Sequence, residues 1–227
     1  MRFFKEKEVM KKRRKFILRI SVALLFCGGL AKATPITIEI SGVVTDVGGS
    51  DAYLYQETIH EDVTFTGIYT YDSATINSSS RSGLGSYIHN SPYGFNISLG
   101  GFEFKTAVNH VGQFGILIFN DYSLQTYDRY IVHSEQNVSL STGLSVNSIG
   151  WDLYDNRHTA LSSVALPTSA PIISAWGGGT FSIGCGGLPY GNSTLAIYGT
   201  VTQAVLIPEP LTGALMITGM FFLRHRR

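Results

Sequence analysis

Residues 63–72 read Val63-Thr64-Phe65-Thr66-Gly67-Ile68-Tyr69-Thr70-Tyr71-Asp72. Val63, Phe65, Gly67, Tyr69 and Tyr71 fall on one parity, and Thr64, Thr66, Ile68 and Thr70 on the other. A period of two sends successive side chains to opposite faces of an extended strand, and Thr, Tyr and Phe favour that pleated surface. Upstream, Ile36, Ile38 and Ile40 alternate with Thr37 and Glu39. Downstream, Phe95, Ile97 and Leu99 lead into Gly100-Gly101 and then Phe102 and Phe104. Two alternating runs joined by a glycine pair predict a β-hairpin.

Further strands are expected over 114–119, 129–133, 137–140, 148–154, 180–183 and 193–203. Between residues 34 and 206 no segment of ten or more carries a helical period. Gly, Ser, Thr and Asn recur between the runs, as turns require. Residues 73–91, with Asn77-Ser78-Ser79-Ser80, read as a long polar surface loop. Many short strands at near-regular spacing predict an all-β fold, a single antiparallel β-sandwich of jelly-roll type over residues 34–206. A signal peptide is expected before it and a hydrophobic helix after it.

The leader is read from its order of parts. Lys11-Lys12-Arg13-Arg14-Lys15 is a basic region, residues 20–30 are apolar, and Ala31-Lys32-Ala33 meets the small-x-small rule. Cleavage after Ala33 would leave Thr34 as the mature N-terminus, so residues 1–33 form the signal peptide. Met10, followed directly by Lys11, offers a second start that gives a more ordinary leader. Two rival leaders are weaker. Arg13-Arg14 lacks the flanking residues of a twin-arginine motif, and Phe26 stands before Cys27 where a lipoprotein needs a small residue.

The other end, residues 207–227, also has three parts. Pro208-Glu209-Pro210 comes first, and the two prolines bar a helix from running back through this point. An apolar run bounded by Leu211 and Leu223 follows. As a helix it spans about 20 Å against a hydrocarbon core of roughly 30 Å. Arg224, Arg226 and Arg227 close the chain and would hold that end on the cytoplasmic side. This tail resembles the PEP-CTERM sorting signal. The resemblance implies secretion, transient anchoring in the membrane, and processing by an exosortase, with final placement at the surface or in the extracellular matrix of a Gram-negative-type bacterium that makes exopolysaccharide. It covers about a tenth of the chain and supplies an address. The middle is more loosely similar to bodies carried by such proteins, through residues 65–72, Gly85-Ser86-Tyr87, residues 99–102, residues 151–155 and Ala165-Leu166-Pro167. That likeness carries no established activity.

Removing both ends changes the charge. The whole chain is formally +1, but residues 34–206 hold four cations, Arg81, Lys105, Arg129 and Arg157, against eight Asp and five Glu, a net charge of −9. An acidic body with one lysine excludes nucleic acid as a partner, since phosphate binding needs clustered Lys and Arg. Cys185 is the one cysteine left in the body, so no intrachain disulfide can form there, and an inert, half-buried thiol is expected.

The search for chemistry finds no catalytic motif. His60, His89, His110, His133 and His158 show no metal-ligand spacing, and no H-E-x-x-H, C-x-x-C or G-x-S-x-G is present. No metal and no cofactor are expected. His60-Glu61-Asp62 reads as a solvated turn, Asp46 to Asp51 as a glycine turn, and Asp152, Asp155 and Asn156 as a turn beside a strand rather than a calcium site. All twelve tyrosines lie in the body, and exposed tyrosines can stack on sugar faces. Tyr122, Tyr127 and Tyr130, with Asp121 and Asp128 beside them, are the expected place for glycan contact. The expectation is a secreted, non-catalytic surface or matrix protein. Its expected partners are signal peptidase and the secretion machinery, an exosortase and, transiently, the membrane. A carbohydrate-binding module acting on exopolysaccharide is the alternative, and an envelope hydrolase a third.

Overall fold

The computed structural model describes residues 35–109, 111–121, 127–186 and 194–208. The chain divides after Ala33 into two compact units, and every described residue belongs to the second. The elements expected at Ala31 and Ala33, and from Glu209 and Pro210 to Arg227, lie outside the described residues.

Among the described residues the body is all-β, as the alternation predicts. Ten strands run β1 (Pro35–Gly48), β2 (Thr64–Asp72), β3 (Leu84–His89), β4 (Gly94–Leu99), β5 (Phe102–Lys105), β6 (Phe114–Phe119), β7 (Asp128–Ser134), β8 (Val146–Asp155), β9 (Gly178–Cys185) and β10 (Leu195–Ile207). They form one curled antiparallel sheet in the order β3-β6-β7-β8-β9-β10-β1-β2-β4-β5. A jelly-roll sandwich would divide these strands between two sheets; here one continuous ladder joins them all. Two 3-10 turns, Ala52–Leu54 and Ile173–Ala175, are the helical pieces among the described residues, and no helix there is long and apolar enough to cross a membrane.

The curl has local causes. β1 shifts register between Ser41 and Gly42 and between Val44 and Asp46, and β8 shifts between Val146 and Ser148. Bulges of this kind sharpen twist and bend a strand. At Gly42 a Cβ would come 2.5 Å from the Phe65 ring, so glycine lets that ring cross the bend. The curl turns one face of the sheet inward. Phe65 of β2 stacks on Phe181 of β9 with ring centroids 4.1 Å apart. Tyr69 of β2 meets Trp151 of β8 edge-on, and Phe95 of β4 meets Phe114 of β6 edge-on at 5.6 Å. These rings are almost fully buried, with Ile38, Ile40, Ile97, Ile116, Ile149 and Ile183. Burial of this apolar surface is the main stabilising term.

The hairpin at Gly100-Gly101 is found as expected, with Leu99 opposite Phe102 and φ of 57° and 80° at the two glycines. Two expectations need correction. Residues 84–89, placed in the polar loop, form edge strand β3, with Tyr87 and His89 turned inward. The Asn77-Ser80 stretch then guards that edge: Ser78 N–H donates to Ser86 O at 2.8 Å, and Asn77 Oδ1 accepts the Ser86 N–H at 2.9 Å. Such cover is how sheets blunt an open edge. Residues 137–140, expected as a strand, provide one bridge, Asn137 to Thr106. Asn137 Oδ1 accepts from the Ser134 hydroxyl at 2.7 Å, which itself accepts from Thr106 at 3.0 Å. The segment is therefore a polar latch between the end of β5 and the end of β7.

Candidate functional site

The outer face of β7 to β10 carries a band of polar side chains. On β8 the odd residues Ile149, Trp151, Leu153 and Asp155 are buried, so Ser148, Gly150, Asp152 and Tyr154 face out. The ladder aligns these with their neighbours. His133 lies opposite Gly150, Gly150 opposite Ser182, and Ser182 opposite Tyr198, a row across four adjacent strands. The next row holds Ile131, Asp152 and Thr180. Gly150 contributes no side chain, and the face dips there into a depression of about 460 Å³ that these residues line together with Glu135.

The chemistry of this depression is hydroxyl, imidazole and carboxylate around one phenol ring. Tyr198 is 43% exposed. Arg129 Nε donates to both carboxylate oxygens of Asp152, at 2.8 and 2.9 Å, and its Nη2 donates to the same carboxylate. That bidentate pair holds the guanidinium in a fixed fork. The His133 ring packs over Gly115, where a Cβ would come 2.9 Å from Cε1. Burial lowers the His133 pKa below its ordinary 6.5, and the Glu135 carboxylate opposes part of that shift. At neutral pH the imidazole is uncharged, with one nitrogen donating and the other accepting.

The expected tyrosine cluster separates. Tyr130 is 1% exposed, its hydroxyl 3.3 Å from that of Tyr69 in the core, so it offers no face to a ligand; its parity on β7 sends it inward. Tyr127 is half-buried and meets the outward Tyr154 edge-on at 6.4 Å, and Tyr154 stands opposite Arg129 in the ladder. Tyr122 lies outside the described residues. Pro208 is the last described residue and is exposed. Asp152 and Asp155 are an odd distance apart on β8 and face opposite sides, so they cannot share a cation. Cys185 is fully buried, more so than expected, and burial pushes its thiol up to about 12.

Two other places were built by the fold. A depression of about 560 Å³ lies beside the Ala52–Leu54 turn, lined by Val47, Tyr53, Gln56, Ile59, His60 and Glu61. It is the larger, but its polar groups sit on turns and His60 is engaged by the Glu61 carbonyl at 2.7 Å. The β7–β10 depression has its groups on ladder-bonded strands, which hold side chains more firmly than loops do. The other place joins Asp121, Asp128 and His158, whose ligand atoms lie within 4.8 Å of one another. These residues could in principle touch one cation, but their contacts read as loop staples. His158 Nδ1 is 3.1 Å from Asp121 Oδ1, and Asp128 Oδ2 accepts the Leu161 N–H at 3.0 Å. Asp155, opposite Asp128 in the ladder, accepts from Arg157 and from the Thr159 N–H and hydroxyl. Both Asp128 and Asp155 are fully buried and tie residues 157–161 to the sheet end.

Ser182 and Tyr198 were not singled out from the sequence, and His133 was named there only as a histidine without metal-ligand spacing. Parity within each strand could have put each on an outer face; their shared row needed the register of three strand pairs. No family model, no curated protein and no solved structure matches this chain.

Proposed function

We propose that this protein is a secreted surface or matrix component, delivered by its C-terminal signal and processed by an exosortase, with a non-catalytic β body. The observation that supports the reading is where the sheet ends against Pro208, the first residue of the motif. β10 runs to Ile207, and the exposed Pro208 follows at once. Pro208 therefore stands outside the ladder, and cleavage beyond it would leave all ten strands in the released body. The acidic charge of residues 34–206 supports the same reading, because nothing basic in bulk would hold the released body to an anionic membrane. In this scheme Glu209 and its prolines are recognised, the run from Leu211 to Leu223 presents them at the membrane, and Arg224, Arg226 and Arg227 set orientation. Replacing Pro208, Glu209 and Pro210 together by alanine should leave full-length protein in the membrane fraction of an exosortase-bearing host. Unchanged processing would refute the reading.

A second reading, that the body binds glycan, is favoured by the β7–β10 depression. One exposed phenol ring beside neutral hydroxyl and imidazole groups is the lining a sugar calls for. A glycan array of the full chain tests it.

A further inference from the structure

We infer that the β7–β10 depression takes a neutral hexopyranose chain lying across the strands, with Tyr198 as its stacking platform and Gly150 as the opening that admits it. This rests on the glycan-binding reading above and names its ligand class and determinants. Neighbouring strands are about 4.8 Å apart, so His133 on β7 and Tyr198 on β10 stand roughly 14 Å apart. That span suits a chain of several sugars better than a single ring. The floor between them is open because Gly150 has no side chain, and an added Cβ would meet Ser182 Oγ at 3.4 Å, an ordinary contact. Glycine is therefore not demanded by packing at this position, yet it shapes the groove.

The groups along the row match hydroxyl-rich ligands. The Ser182 and Thr180 hydroxyls donate and accept, as does the uncharged His133 imidazole. The carboxylates of Glu135 and Asp152 accept hydrogen bonds from sugar hydroxyls. Arg129 offsets the Asp152 charge in their ion pair, which leaves the Glu135 carboxylate to repel uronate, sulfate or phosphate groups. With a body charge of −9 behind the face, acidic chains are excluded and neutral ones admitted.

The test is calorimetric titration of the full-length protein in mild non-ionic detergent at physiological salt. The probes are neutral hexasaccharides (β-glucan and mannan) and the acidic hexamers of alginate and polygalacturonate. At least one neutral hexamer should bind more tightly than about 1 mM and the acidic ones should not. Tyr198→Ala should weaken that binding about tenfold, the loss expected for one aromatic contact. Gly150→Val, a residue suited to a strand, should weaken it at least as much by filling the dip, with circular dichroism confirming the fold. Tyr53→Ala, in the other depression, should leave it unchanged. Equal or tighter binding of the acidic hexamers overturns the ligand class alone. Neutral binding that survives Tyr198→Ala and Gly150→Val, or falls with Tyr53→Ala, overturns the location. No binding of any hexamer overturns both this inference and the glycan reading.

Discussion

His133 shows what one buried edge of a ring does to its charge. Packing over Gly115 and between strands removes water from the imidazole and lowers its pKa. The unfolded chain therefore holds the proton more tightly than the folded one. The resulting stability is present in full above about pH 6.5 and is lost as the pH falls from there toward the depressed folded value. His133→Gln, which cannot titrate, should narrow the difference in Tm between pH 7.5 and pH 5.5 relative to the parent. Asp155 works on the other side. Donors from Thr159 and Arg157 hold its carboxyl well below the usual range. Its contribution is present above about pH 4 and is lost as the pH falls through the depressed folded value. Asp155→Asn should lower the Tm at pH 7 and flatten the decline below pH 4. Cys185, buried with its thiol raised, should resist iodoacetamide at pH 8 in the folded protein and react after unfolding in urea.

At the scale of elements the hairpin of β4 and β5 separates two roles of glycine. Gly100 and Gly101 both have positive φ, a region that costs other residues about 1–2 kcal/mol. Nothing lies within 4 Å of a Cβ at Gly101, but one at Gly100 would come 2.5 Å from the Thr58 carbonyl oxygen. Gly101→Ala should therefore cost about 1–2 kcal/mol in urea denaturation, and Gly100→Ala clearly more. This hairpin was legible because its turn chemistry and its alternation are contiguous in the chain. β3 was not, because it is short, follows a serine-rich stretch, and its partner, β6, starts 25 residues further on in the sequence. Residues 137–140 misled for the opposite reason. Val138 and Leu140 alternate as a strand would, but Val138 is 46% exposed and the backbone finds a single bridge there.

For the molecule as a whole, stability rests on the contact between distant parts of the curled ladder. Phe181 is fully buried against Phe65, which belongs to a strand more than a hundred residues earlier. Phe181→Ala should cost about 3–5 kcal/mol in chemical denaturation, as loss of a buried ring and the cavity left behind require. The sequence by itself determined most of the strands and the apolar face of each, that the body is acidic with a single cysteine, and that Pro208-Glu209-Pro210 follows it. Those are properties of composition and short-range periodicity, and they survive any pairing of the strands. Tertiary structure alone decided that the strands join in one curled sheet and that His133, Ser182 and Tyr198 share a row over Gly150. Register is the physical reason. A strand's alternation says which way a side chain points, while hydrogen bonds between residues far apart in the chain decide what stands beside it.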